Sequence, residues 1–317
     1  MSASVRRVAT LPGTRWHRAR HRLGVSVVDR AAMTVAAITL AVAVLYVVGF
    51  TLWTTWISFT DSTLLPDYAF AGFKNYSRLL KTRLWQVAYA NLLIYGVLFM
   101  ALATAIGLLL AILIDQKVRA ENLWRTIYLY PMALSFVVTG TVWAWLLNPG
   151  IGIQSFVRGL GWAGFRFDWL VDRDMAIYTV VIAAVWQASG FAMALFLAGL
   201  RSLDADLYKA AQIDGAGPVR TYLWVMVPAM WPIVIAVLVI LLQFALKTYE
   251  LVRALTAGGP GIATTLPTTV VYDYMFQRSL MGAGSAAAVM LLLSLLVIVA
   301  PWAIHRRLRA RNPVPHG

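Results

Sequence analysis

Six intervals of the chain carry no charged side chain: residues 31–60, 84–114, 126–157, 175–200, 221–246 and 279–304. A helix needs about 20 apolar residues to cross the hydrocarbon of a bilayer, and each interval is long enough. No other feature restricts the fold as much, because a lipid-spanning segment has to satisfy its backbone hydrogen bonds internally. The expectation is an all-α integral membrane protein with six transmembrane helices. Asn148-Pro149-Gly150 predicts that the third helix stops near Leu147. The fifth should begin near Pro228, with Pro232 in its first turns, and the sixth should end near Pro301. The first interval is longer than the roughly 7–15 residues of a signal-peptide core, so it reads as an anchor.

The rest of the composition agrees. The chain is 61% hydrophobic and 13% charged, whereas soluble domains carry about 25% charged residues. It has no cysteine, which excludes disulfides and thiolate metal sites. The formal charge of +14 is concentrated at the ends, with seven arginines before residue 31 and four after residue 305. Neither cluster is interleaved with aromatics as a nucleic-acid groove would be, so the implied surface is membrane lipid and not nucleic acid. With the N-terminus inside, 17 basic residues fall on the cytoplasmic side and 10 outside. That is the positive-inside arrangement, and it makes both termini cytoplasmic. The domain reading is a cytoplasmic Arg-rich, disordered tail (1–30), a six-helix transmembrane domain (31–305) and a basic cytoplasmic tail (306–317).

Several kinds of chemistry are missing. All four histidines (His17, His21, His305, His316) lie near the ends, and no carboxylate sits in the middle of an interval. There is no Gly-x4-Gly-Lys-[Ser/Thr] phosphate loop and no Ser/His/Asp set. No catalytic residue, metal site or cofactor is expected. Asp172 and Asp174 would suit the metal of a membrane glycosyltransferase, but they lack a third ligand and read as a solvated loop. The polar residues within or beside the intervals are Trp186, Gln187 and Ser189 in the fourth, and Gln243, Lys247, Thr248 and Tyr249 at the outer end of the fifth. Amides and hydroxyls beside aromatic faces suit a sugar, and equally suit hydrogen bonding between helices. Lys247 is expected to snorkel outward. In the outer segment 247–278, Thr256–Gly261 predicts tight turns and Val270–Phe276 a helix at the outer interface. The small residues Gly282–Ala288 predict close helix packing.

The long polar connection at about 201–226 reads as a helix–turn–helix. Leu203, Leu207, Ala210 and Ala211 share a helical face, Asp204 is placed to cap the helix start, and Asp214-Gly215 signals a turn. Pro218 can open a second helix. The small apolar face would let another protein approach closely, and a plain amphipathic linker is the alternative.

Ala210, Ala211, Asp214, Gly215, Ala216, Tyr222 and Pro228 follow the order of the "EAA" loop. The chain thus resembles permease subunits of binding-protein-dependent ABC importers, although Lys209 stands where that family usually has Glu. The likeness runs from about residue 30 to 305. Arg125–Pro131, Trp143–Gly150, Val185–Phe191 and Ala198–Ser202 look like the third and fourth spans of MalF-like sugar permeases. Ala71–Leu80 looks like their Gly-x-x-Asn-Tyr/Phe element. Leu246–Val252 with Gly258-Gly-Pro260 is similar to a glucose/mannose-type subgroup. The resemblance implies the type I ABC importer permease fold and no enzymatic activity. It also implies a place in the cytoplasmic (inner) membrane and a sugar cargo moved by alternating access. The implied partners are a second permease subunit, two ATP-binding cassette ATPase subunits and an extracytoplasmic sugar-binding protein. It assigns ATPase coupling to Lys209, Ala210, Ala211, Asp214, Gly215 and Ala216. In related permeases the sugar contacts lie on the fourth and fifth spans, and the positions that match them here include Gln187, Ala188, Phe191 and Thr248. With Gln243 and Tyr249 from the polar cluster of the fifth span, the expected substrate pathway is Gln187, Phe191, Gln243, Thr248 and Tyr249. Leu241 and Ala245 are apolar where related permeases contact sugar, so the cargo's identity stays open. An ion-coupled secondary sugar carrier is the alternative; the missing intramembrane carboxylate weighs against it.

Overall fold

The computed structural model describes residues 14–65, 67–116 and 118–311. Helix α1 (Thr14–Ser58) opens the chain. It is followed by α2 (Lys74–Lys81), α3 (Arg83–Asp115), α4 (Glu121–Ala133), α5 (Phe136–Leu146) and α6 (Ile153–Gly159). Next come α7 (Ala176–Ser202), α8 (Ala205–Ile213), α9 (Pro218–Ala229, with a π-helical turn over Tyr222–Met226) and α10 (Trp231–Leu246). The chain then forms α11 (Tyr249–Leu255), α12 (Pro267–Tyr272, running into a π-helical turn at Asp273–Gln277) and α13 (Met281–Arg311). Among the described residues the one extended pairing is an isolated bridge between Thr60 and Phe70.

The chain divides into two units, residues 1–56 and 57–317. In the first, the side chains from Met33 to Trp53 are apolar for the most part and exposed all round, as lipid contact demands. The expected disordered tail differs here. Thr14–Arg30 continues the first helix as backbone: the stretch is rich in arginine, a good helix former, and a helix propagates readily once a neighbour has nucleated it. Residues 1–13, and residues 312–317 of the C-terminal tail, lie outside the described residues.

In the second unit α3 and α7 pack along their lengths. A Cβ on Gly107 would come within 2.6 Å of the Ala192 Cβ, so the two backbones approach as closely as glycine opposite alanine permits. Tyr95, Phe99 and Ala103 of α3, Ala188 and Phe196 of α7, and Val237 and Leu241 of α10 make the main core. A second cluster joins Leu79, Trp85 and Ala88 to Val270, Tyr274, Ala286 and Ala287. The small run Gly282–Ala288 thus packs inward. A Cβ on Gly282 would fall 2.2 Å from the Thr60 carbonyl oxygen.

The expected spans three and five are not simple helices. α4 and α5 meet at 99°, α9 and α10 at 78°. Pro131 withholds a backbone donor one turn before the first break, and Ser135 caps the new start by accepting from the Val138 N–H at 3.2 Å. At the second break Met230 stands between the helices, with Pro228 before it and Pro232 just after. Among the described residues three helices are long and apolar enough to span unbroken (Arg30–Ser58 within α1, α3 and α7). The two bent pairs and the shorter apolar Met281–Val297 stretch of α13 supply the remaining apolar length.

Polar side chains fasten this frame. Asn75 Nδ2 donates to the Ser58 and Thr60 carbonyls at 3.0 and 2.8 Å. Asn91 Nδ2 does the same for Ala263 and Thr265 at 2.8 and 3.0 Å, holding the glycine-rich loop on α3. In that loop Gly258 and Gly261 take positive φ (91° and 65°), as their turns require. Asp172 Oδ1 accepts from the Asp174 and Met175 N–H groups at 2.8 and 3.2 Å, so it is spent on the entry to α7. Nearby in the same segment the Arg166 guanidinium, bonded at 2.8 Å, holds the Asp168 carboxyl below its ordinary range.

Candidate functional site

The helix–turn–helix takes the form its local chemistry demands. Asp204 caps α8 by accepting from the Asp206 N–H at 3.0 Å. Asp214 ends the helix, Gly215 turns with φ +77°, and Pro218 opens α9. The Ala216 N–H returns to the Ala211 carbonyl at 3.0 Å and closes the turn.

The six residues assigned to coupling divide by direction. Ala211 is buried beneath α8, with Ala216 half-buried. Lys209, Ala210, Asp214 and Gly215 are exposed. Lys209 pairs within its own helix, its Nζ 2.9 Å from Asp206 Oδ1. The helical face read from sequence is therefore split: Ala211 faces inward and Ala210 outward. Ile213, 87% exposed, extends the outward side, and Val219 on α9 is exposed beside it in the chain. Periodicity alone missed Ile213, because it lies off the Leu203–Leu207–Ala211 stripe.

Beneath α8 the Tyr208 and Tyr222 rings pack at 6.0 Å. The Tyr222 hydroxyl donates to Asp115 Oδ2 at 2.7 Å. Arg201 lies with Nε 3.7 Å from Asp115 Oδ1 and Nη1 2.8 Å from Glu121 Oε1, and Arg125 stands 3.6 Å from that same Glu121 oxygen. Tyr222 was read from sequence only as a position of the loop pattern, and its charged neighbours were not singled out; the available signal was that Asp115, Arg125 and Arg201 directly flank charge-free intervals.

The five residues assigned to the substrate pathway lie on α7, α10 and α11 or between them, in three different settings. Gln187 is 2% exposed. Its Nε2 donates at 2.9 Å to the Leu134 carbonyl, freed at the α4–α5 break, while its Oε1 has no partner among the described residues. Thr248 is also buried and bonds the Tyr95 hydroxyl at 2.8 Å and the Phe244 carbonyl at 2.7 Å. Phe191 and Tyr249 are half-buried, each against another ring: Phe191 5.7 Å from Phe244, Tyr249 4.6 Å from Tyr272. Gln243 is exposed on the same face of α10 as Lys247, one turn on. An exposed amide on an otherwise apolar span is costly against lipid.

Apolar helices, two spans of them broken, joined through the helix–turn–helix α8–α9 that follows α7, define a multi-pass membrane protein. The chain belongs to the family described as binding-protein-dependent transport system inner membrane component, whose model matches residues 103–310. It is 38% identical over 252 residues to a probable ABC transporter permease protein of Pyrococcus horikoshii, covering 79% of this chain and 86% of that one. It is 36% identical over 250 residues to the xylose/arabinose import permease protein XacH of Haloferax volcanii, covering 78% of each. Its fold superposes with a TM-score of 0.75 at 20% identity on a chain of a bacterial ABC transporter involved in import of the acidic polysaccharide alginate, over 90% of this chain and 99% of that one. The chain is therefore an inner-membrane transport component, not an enzyme, with the ABC importer permease fold. The ion-coupled carrier reading gains no support from these relatives.

Proposed function

We propose that this chain is one of the two membrane-spanning subunits of a sugar importer, coupled to separate ATPase subunits through the loop at 203–222. The observation that carries this reading is the geometry of α8. The helix is capped and turned at both ends and packed beneath by the Tyr208–Tyr222 pair, and its far side carries Ala210 and the open Ile213. A short, rigid helix with an exposed apolar anchor is the right shape to sit in a partner's groove. Lys209, Ala210, Ala211, Asp214, Gly215 and Ala216 form the coupling element, with Ala211 and Ala216 acting from its inner side.

The cargo is a sugar. The pentose import function in the name of the Haloferax relative supports this class, and so does the chemistry of the pathway residues. Gln243, Phe191 and Tyr249 offer an amide and two aromatic faces. Gln187 holds the helix break with one end of its amide and keeps the Oε1 acceptor free. Thr248 braces α10 against α3 from behind. A glucose- or mannose-type hexose is the particular cargo proposed, on the likeness of Leu246–Val252 and Gly258-Gly-Pro260. Partners are a second permease chain, two ATPases and an extracytoplasmic binding protein, in keeping with the family's binding-protein-dependent description. Both termini are cytoplasmic. ATP-driven closure of the ATPase dimer draws the coupling loops together and opens the pathway outward; hydrolysis reverses it.

A tagged pull-down from native membranes in mild detergent tests the reading. The expected result is a second permease chain, an ATPase, and a cognate binding protein whose bound ligand is a sugar. The chain arriving alone, from cells whose sugar uptake survives loss of the ATPase, would overturn it.

A further inference from the structure

We propose that Tyr222, Asp115 and Arg201 form a transmission joint, and that this joint sets how tightly ATP hydrolysis is linked to engagement of the binding protein. The inference rests on the coupling role proposed for α8. Four elements meet at the joint. Tyr222, from α9, is 4% exposed and lies under the coupling helix against Tyr208. Its hydroxyl donates to Asp115 at the end of α3 (2.7 Å). The other Asp115 oxygen faces Arg201 near the end of α7 (3.7 Å), and Arg201 binds Glu121 at the start of α4 (2.8 Å).

Strength alone does not account for the arrangement. The ionic side chains keep 20–41% exposure, and ion pairs so open to solvent contribute little to stability. Connectivity does account for it. Within the joint, the Tyr222 hydroxyl is the link that leads from the coupling loop to the ends of the spans. Arg201 keeps two carboxylates on neighbouring helix ends from repelling each other. α3 and α7 are pressed together at Gly107 and Ala192, a contact too close for one helix to shift without pushing the other. A displacement of α8 therefore passes through Tyr208 and Tyr222 to the α3–α7 pair, and through Arg201 and Glu121 to α4 with its break at Leu134. Tyr222, Asp115 and Arg201 are positioning residues: they touch no cargo.

The test uses the complex purified by the tagged chain, in vesicles of native lipid. ATP hydrolysis is measured with and without its cognate binding protein, carrying whatever ligand it holds when isolated. Tyr222→Phe removes the hydroxyl alone, and Asp115→Asn removes the charge that Arg201 faces. Both variants are expected to reach the membrane and retain the ATPase at wild-type levels, with stimulation by the binding protein reduced at least five-fold. The double variant should be no worse than the weaker single one, because both cut the same path. Unchanged stimulation in both single variants overturns the joint. So does loss of ATPase retention in Tyr222→Phe, which would make the tyrosine a docking or folding residue. A wild-type chain that brings down no ATPase instead defeats the coupling reading itself and the joint with it.

Discussion

At the scale of single residues, Ile213 separates docking from folding. Its side chain is 87% exposed at the end of α8, so the fold of the chain does not depend on it. Buried in a partner's groove it would act as an anchor, and truncating such an anchor typically costs about 2 kcal/mol or more, roughly 30-fold in affinity. Ile213→Asp is therefore expected to insert normally and to lose most of the co-purified ATPase. The ratio of ATPase to permease in the detergent extract measures this, and an unchanged ratio would move the docking face elsewhere. The framework around Ile213 was legible in the sequence because each part has its own local chemistry: an aspartate that caps, a glycine that turns, a proline that opens a helix. Which face looks outward was not. Ala210 and Ala211 are adjacent and equally small, and burial of Ala211 alone is what separates them. Lys209 was legible as a departure from the family pattern, but its bond to Asp206 depends on a rotamer that spacing does not reveal.

At the scale of helices, the charge-free intervals located the apolar elements, and the two broken ones explain why hydropathy was insufficient. Hydropathy averages over a window and does not register direction, so a 99° bend between two apolar helices leaves no trace in it. Pro131 and Ser135 were the local signs of the first break. The compensation comes from another helix, through Gln187 on the Leu134 carbonyl, and a contact over 53 residues is not readable from spacing. The same crossing depends on Gly190, where an added Cβ would fall 1.7 Å from the Tyr128 carbonyl oxygen. A backbone atom cannot turn aside as a side chain can, so Gly190→Ala is expected to cost at least the 1–3 kcal/mol typical of overpacking. The variant should show a lower unfolding temperature in detergent and a reduced membrane level. Gly96→Ala is the control, since nothing lies within 4 Å of a Cβ there and alanine favours helix over glycine. Equal behaviour of the two would mean that α4 does not cross α7 at Gly190.

At the scale of the whole molecule, the claim most open to direct measurement is the sidedness of the chain. Lys and Arg number 17 on one set of connections and 10 on the other, and the orientation proposed here follows from that asymmetry by the positive-inside rule. The coupling loop and the segment before α7 must then face opposite sides, because α7 spans 27 residues, about 40 Å at 1.5 Å per residue, against a hydrocarbon core of about 30 Å. The protein has no cysteine, so a single introduced thiol reports without background. Asp214→Cys, at the exposed end of α8, should resist a membrane-impermeant maleimide in intact cells and react in inverted vesicles. Arg173→Cys, exposed in the 148–174 segment, should do the reverse. Both labels on one side would remove α7 from the count of spans and with it the six-helix topology. Opposite sides in the inverted sense would put the coupling loop where no cytoplasmic ATPase could reach it, and the importer reading would fail even though the fold stood.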